Sequence, residues 1–223
     1  NEDGSIYKFT EKPKNPDSNK ASMGIYIFNR KKLADYLIAD EADPASSNDF
    51  GKNIIPAMLA AGEKMYAYPF EGYWKDVGTI SSLWEANMDL LGDQPVLDLS
   101  GNDWRIFARH SASAPQFVGN RATIENSYIT EGCEIYGTVK NSVVGPGVKV
   151  LAGAHVEDCV LMGDCVIEAG ATVQYAIIDS DVTVGAGATV GAPRSTGAEI
   201  AVVGEGITIA AGATVKPGAM LSE

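Results

Sequence analysis

The sequence predicts an α/β segment followed by a three-sided parallel β coil. Three observations carry that expectation. First, the halves differ in composition. Residues 1–110 hold all three Trp, 14 of the 18 aromatics and 8 of the 24 Gly, whereas residues 111–223 hold 16 Gly and only Phe117, Tyr128, Tyr136 and Tyr175 as aromatics. A shift of that kind marks two architectures. Second, three consecutive blocks share a length of 17 residues: KNSVVGPGVKVLAGAHV (140–156), EDCVLMGDCVIEAGATV (157–173) and QYAIIDSDVTVGAGATV (174–190). Third, the first half alternates strand-like and helix-like stretches, the pattern of an α/β layer.

In the first half, Asp3-Gly4 is a hairpin-turn signal before the alternating Ile6, Lys8, Phe9. No strand precedes it, so the natural chain is expected to begin well upstream. Glu11-Lys12-Pro13 and a polar loop follow, and then GIYIF (24–28), which reads as a buried strand. RKKLADYLIADE (30–41) reads as a helix with Leu33, Tyr36 and Leu37 on one face. SSNDFGKNIIPAMLAAG (46–62) reads as a capped loop and helix, and KMYAYPF (64–70) as a strand. GYWKDVGTISSLWEANMDLL (72–91) reads as a strand end, a Gly turn and a helix opened by Thr79 or Ser81.

In the second half, aliphatics recur at Val144, Val150, Val156, Leu161, Ile167, Val173, Ile178, Val184 and Val190, in steps of six, six and five. The register extends upstream through Val118, Ile124, Ile129 and Ile135, and returns at Val203, Ile209, Val215 and Leu221 after a break over 191–202. A helix needs steps of three and four. A step of six, with small residues between, fits a triangular coil with one aliphatic inward per face and Gly, Ala, Ser or Asp at the corners. Each coil pairs with the next as parallel β. One inward Val or Ile stabilises by roughly 1.5–3 kcal/mol on full burial, so a stack of coils supports itself. The alternative, a Gly-rich β-sandwich, has no fixed six-residue step.

Composition narrows the function classes. With 17 basic and 29 acidic residues the net charge is -12, the wrong sign for nucleic-acid or anionic-membrane binding. No apolar run approaches the ~18 residues of a membrane span, and NEDGSIYKF at the start is no signal peptide. Cys133, Cys159 and Cys165 are odd in number and form no CxxC. They fit a protein of the reducing cytoplasm, and Cys159 and Cys165, six apart, read as small core or corner residues.

Several residues are candidates for chemistry. Lys12 sits just past a strand and before a rigid Pro, where its ammonium either meets a phosphate or is solvated. Asp76 sits at a strand end before Gly78, the edge where ligands of α/β sheets bind. It is either a metal-holding carboxylate or a helix cap. Asp49-Phe50-Gly51 spells a kinase metal motif with no HRD loop before it and no APE after it, and reads as a loop before a helix. His155, the one histidine of the repeats, suits the base of a hexapeptide acyltransferase or, more simply, a solvated corner. Trp74 and Trp84 read as packing residues. Trp104, Arg105, Arg109 and His110 fall in a connector.

The order EKP, SMGIYIF, DFGKNIIP, YWKDVGT and then hexapeptide repeats resembles the C-terminal part of the bacterial glucose-1-phosphate adenylyltransferases (ADP-glucose pyrophosphorylases), and the resemblance covers essentially the whole chain. It implies a partial Rossmann-like nucleotidyltransferase domain (1–92), a connector (93–116) and a left-handed parallel β-helix (117–223). The left hand comes from the resemblance, because β crossovers in general are right-handed. The family makes ADP-glucose and pyrophosphate from ATP and glucose 1-phosphate for glycogen synthesis. By resemblance Lys12 pairs with the sugar phosphate, Glu11 accepts hydrogen bonds from glucose hydroxyls, and Ser22, Gly24 and Tyr26 line the sugar pocket. Asp76 is implied as one of two carboxylates on Mg²⁺, and Arg105 or Arg109 as a contact for anionic allosteric regulators. A homotetramer, or an oligomer with a related subunit, is implied too. The family's Gly-rich GGxGxRL loop is not in this sequence, so the 223 residues alone are expected to be inactive. A β-helix oligomerisation module and a sibling enzyme using UTP, dTTP or GTP are the alternative readings.

Overall fold

The six-residue step of the second half winds into three parallel sheets of six strands each. A computed structural model describes residues 1–99 and 113–222, which form two compact units, Asn1–Gly72 and Tyr73–Glu223. In the second unit each strand pairs with the strand one coil later, so that Val150 lies beside Ile167, Val156 beside Val173 and Leu161 beside Ile178. The expected inward aliphatics from Ile135 through Val203 are buried completely or nearly so, and they form one continuous core with Cys133, Cys159 and Cys165. Val118 and Ile124, on the first coil, remain exposed.

Coil length varies while the column stays in register. Ile124 pairs with Val139, fifteen residues on, and Val190 with Val215, twenty-five residues on. The short coil explains why Val139, fully buried, escapes the six-residue count. Gly137, two residues before it, has no room for a side chain, since a Cβ there would lie 2.5 Å from the Ala154 carbonyl oxygen. The long coil carries most of the 191–202 break as a loop over 192–200 with a short helix, Arg194–Thr196, while Gly191 and Ala201 stay in the ladders.

One outer face of the solenoid is apolar for a reason the repeat does not show. Val160 and Ile177 point away from the core yet are buried beneath Trp84. Trp84 belongs to a helix, here α3 (Ile80–Met88), which Thr79 opens with a capping box to Ser82. Its indole N–H donates to the Asp158 carbonyl oxygen at 2.7 Å, and its ring meets Tyr175 edge-on at 5.0 Å. The Arg194 guanidinium lies over Trp84 at 4.8 Å and over Tyr175 at 5.9 Å. Residues 73–92, expected with the first domain, therefore fall within the second compact unit. The connector expected at 93–116 lies largely outside the described residues.

The first unit holds the two expected helices. Residues Arg30–Glu41 are helical, with the Asn29 side chain accepting the Lys31 and Lys32 amides. Leu33 and Tyr36 are half-buried, but Leu37 is exposed. Asp49 caps a wide helical turn (Phe50–Ile54) that runs into the helix Ile55–Ala60. Ile54, Ile55 and Met58 are buried. The strands differ from expectation. Asp3-Gly4 does turn, but the chain after it pairs downstream, through an antiparallel bridge between Ser5 and Tyr66. Residues 24–28 are not buried. Tyr26 and Phe28 face Phe50, while Ile25 is 74% and Ile27 100% exposed. The period of two survives, but no neighbouring strand among the described residues completes a ladder, and an unpaired strand does not bury its second face. Residues 70–78 form no strand either, so Asp76 lies in a loop. Among the described residues no helix is long and apolar enough to cross a membrane.

The buried column makes a direct prediction. Ile167→Ala, at a site with no exposure, is expected to lower the unfolding free energy by about 2–5 kcal/mol. Val118→Ala, in the same column but half-exposed, should stay within about 0.5 kcal/mol. Urea unfolding followed by circular dichroism separates the two, and equal losses would contradict a stacked core.

Candidate functional site

In the first unit, Glu11, Ser22, Gly24 and Tyr26 gather with Asp49, Phe50 and Gly51 around one cavity of about 450 Å³. That volume lies within the range of ~300–1,000 Å³ usual for small-molecule sites. Segments distant in sequence build it. Gly24 has a φ of +71°, a left-handed conformation open to glycine without a Cβ clash, and its amide donates to Ser22 Oγ at 3.2 Å. Ser22 Oγ also shares a hydrogen bond of 2.9 Å with Tyr26 Oη. The Tyr26 ring stacks on Phe50 with centroids 6.1 Å apart, and Phe28 closes the cluster. The wall is therefore hydroxyls on one side and aromatic faces on another.

The floor is carboxylate. Gly51 is buried, and a Cβ there would lie 2.9 Å from Glu11 Cδ, so a glycine is what lets the Glu11 side chain approach the helix start. Asp49 Oδ1 accepts the Lys52 amide at 2.9 Å. That hydrogen bond, more than the nearby Lys52 and Lys12 charges, holds the Asp49 carboxyl below its usual range. Asp49 thus stays an acceptor at neutral pH. Lys12 is not among the lining residues. Its side chain is 91% exposed, with the ammonium 3.9 Å from Glu11 Oε1. Its backbone has a φ of +42°, a left-handed conformation that costs a lysine about 1–3 kcal/mol and persists only where the surroundings impose it. The Lys12 charge therefore stands beside Glu11, one of the lining residues, and is exposed to solvent.

Asp76 belongs to the second unit. It is exposed, and one carboxylate oxygen accepts the Gly78 amide at 2.9 Å. Thr79, not Asp76, caps α3. Among the described residues no three His, Cys, Asp or Glu side chains cluster as a metal cage. Mg²⁺, however, is commonly held by one or two carboxylates plus substrate phosphates, and a single exposed carboxylate suits that share of the work. Arg105 and Arg109, with Trp104 and His110, lie outside the described residues.

The remaining candidates resolve as structure. His155 lies within a strand, not at a corner, and pairs with Glu157 at 3.1 Å, which Gln174 also reaches at 3.0 Å. Burial pushes the Cys159 thiol up to about 12 and the Cys165 thiol to about 11, and raises Cys133 as well. All three are buried and unpaired as disulfides. Trp84 is core, whereas Trp74 is 45% exposed. Asp49, Phe50 and Gly51, which read as a loop before a helix, do start that helix, yet they also line the cavity. A cap and a glycine carry no pocket signal until Glu11 is seen against them.

Comparison with known proteins agrees with this arrangement. Residues 1–93 match the nucleotidyl transferase family, and residues 113–216 match the GlmU-like C-terminal hexapeptide family. The chain is 56% identical over 168 residues to a glucose-1-phosphate adenylyltransferase of Clostridium perfringens (strain SM101), covering 75% of this chain and 43% of that protein. It is 58% identical over 159 residues to the enzyme of that name from Clostridium botulinum (strain Alaska E43), covering 71% and 41%. For the one from Desulforamulus reducens the identity is 52% over 165 residues, covering 74% and 41%. The matched part of this chain thus spans less than half the length of these relatives. The chain is thus similar to the nucleotidyl transferases over residues 1–93, to the GlmU-like hexapeptide proteins over residues 113–216, and to the glucose-1-phosphate adenylyltransferases over most of its length.

Proposed function

We propose that this chain is part of an enzyme that transfers AMP from ATP to glucose 1-phosphate, making ADP-glucose and pyrophosphate for glycogen synthesis. The observation that carries the reading is the gathering of Glu11, Ser22, Gly24 and Tyr26 around one cavity with Lys12 beside it. A sugar needs acceptors and donors for its hydroxyls, and apolar faces for its ring. Glu11 and Asp49 accept, Ser22 and Tyr26 exchange hydrogen bonds, and the Tyr26–Phe50 stack offers the faces. A phosphate on the anomeric carbon needs a cation at the rim, and Lys12 supplies it. The names of the relatives support glucose 1-phosphate as the ligand.

In the reaction a phosphate oxygen of glucose 1-phosphate attacks the α-phosphorus of ATP in line, and pyrophosphate leaves with the electron pair of the broken P–O bond. The protein's work is to place two anions together and to neutralise them. Lys12 holds the nucleophilic phosphate by its charge, while Glu11 and Asp49 fix the sugar so that this oxygen faces its target. Asp76 would hold Mg²⁺, which when bound supplies further neutralisation between the two phosphates. No covalent enzyme intermediate is needed, so no nucleophile–base pair is required. This sequence carries no Gly-rich loop for the nucleotide phosphates, and the 223 residues alone are proposed to bind the sugar phosphate without turning it over. The assembled enzyme is proposed to act in the cytoplasm as a tetramer.

The test is steady-state kinetics of an enzyme assembled to the full length of the relatives. Lys12→Ala is expected to raise the KM for glucose 1-phosphate by about tenfold or more, the loss of a charge-assisted contact worth roughly 1.5–3 kcal/mol, and to leave the KM for ATP within twofold. Equal effects on both substrates would contradict the role. Pyrophosphorolysis of ADP-, UDP-, GDP- and dTDP-glucose by the same enzyme identifies the nucleotide, with ADP-glucose expected to be fastest.

The cavity floor also has a pH signature. Because the folded state depresses the Asp49 carboxyl, the stability it contributes is fully present above the ordinary value of 3.8 and is lost as pH falls through the lower folded value. Amide protection factors of the helix Ile55–Ala60, followed down an acid series, should fall over that window in the parent chain and show a flatter profile in Asp49→Asn. Identical profiles would remove Asp49 as the titrating cap.

A further inference from the structure

Helix α3 ends on a carboxylate whose side-chain partners among the described residues lie in the segment leading to Asp76. Asp89 Oδ2 accepts the Tyr73 hydroxyl at 2.9 Å and the Lys75 ammonium at 2.9 Å. Glu85, one turn earlier on α3, stands 3.3 Å from the same ammonium. Lys75 and Asp89 are each about three-quarters buried, whereas the Glu85 side chain is 56% exposed. With a carboxylate on either side, the Lys75 charge is neutralised within the chain. Both ion pairs are made to α3 or its C-terminal cap.

The clamp has a firm base. Trp84 sets α3 on the solenoid through the Asp158 carbonyl and the Tyr175 and Arg194 side chains. On the far side of Asp76 the chain is fixed again, by the Thr79–Ser82 capping box. Asp76 therefore stands between two anchors on the same helix, one immediately before it at Lys75 and one three residues after it at Thr79.

We propose that Asp89 is a positioning residue, which by gripping Tyr73 and Lys75 sets where Asp76 presents its carboxylate to a divalent cation. This rests on the reading of Asp76 as a cation ligand. Both bonds are charge-assisted because their acceptor is ionised, and the Lys75 ammonium adds the attraction of an opposite charge. A ligand carried on a loop keeps its geometry only when such support locks it.

Two measurements test the proposal. In this chain, with no metal added, Asp89→Asn should speed hydrogen exchange at the Gly78 amide, which donates to Asp76, and shift the Trp74 indole resonance, while Glu85→Gln should do neither. In the enzyme assembled to the full length of the relatives, Asp89→Asn should raise the Mg²⁺ concentration for half-maximal rate by about tenfold, less than the ~100-fold that a 1 Å misplacement can cost. The KM for glucose 1-phosphate should change less than twofold. Tyr73→Phe deletes one hydroxyl, and should move the Mg²⁺ requirement in the same direction by a smaller factor should Asp89→Asn fold poorly. Asp89→Asn and Lys75→Met should be non-additive in a double-mutant cycle. If Asp76→Asn raises the Mg²⁺ requirement and neither Asp89→Asn nor Tyr73→Phe does, the positioning role is wrong. If Asp76→Asn itself leaves that requirement unchanged, the cation-ligand reading falls and this proposal with it.

Discussion

A parallel coil holds together only while every turn returns its inward side chain above the one before. That constraint governs the second half of this chain. The column from Ile135 to Val203 has almost no exposure, and the parallel ladders preserve it across coils of different length. Length is absorbed where the column does not notice it. The short coil saves residues around Gly137, and the long one expels residues 192–200 between two ladder strands. The loop is then used, since Arg194 comes back from it to cover Trp84 and Tyr175.

The same column makes a platform for α3. Parallel strands alternate their side chains, so a residue beside each inward aliphatic faces out. Where that neighbour is itself apolar, as at Val160 and Ile177, a second layer can be laid over it. Trp84 occupies the place, with its ring on the aliphatics and its N–H on the Asp158 carbonyl. The loop carrying Asp76 is thereby tied to a rigid body through one short helix.

Legibility in the sequence followed how local each interaction is. The solenoid was readable because its register repeats in the chain itself, and helices 30–41 and 80–88 were readable because their caps and periodicity are local. Val139 was missed because one coil is short by two residues, and the outward row because its partner comes from outside the repeat. The extended segments of the first unit were read as strands, yet only Ser5 and Tyr66 form a bridge among the described residues. A strand is a property of a pair, and the period of two at residues 24–28 names a face without naming a neighbour. Of the site, Glu11, Ser22, Gly24 and Tyr26 were legible through their motifs. Asp49 and Gly51 were not, because their part depends on Glu11 approaching from forty residues away. The grip of Asp89 on Lys75 was hidden for a similar reason, since nothing in WKD names a partner fourteen residues further on.

The three cysteines have a practical corollary. Each thiol is sealed inside the spiral and kept protonated by its surroundings, so maleimides and mild oxidants have no thiolate to attack while the coils stay wound. A single sulfur engineered onto the outer surface would then be the sole reactive one in these 223 residues, and a fluorophore or spin label could be attached to the folded chain without first deleting any of the three. Unwinding of the spiral would announce itself as three additional labelling events.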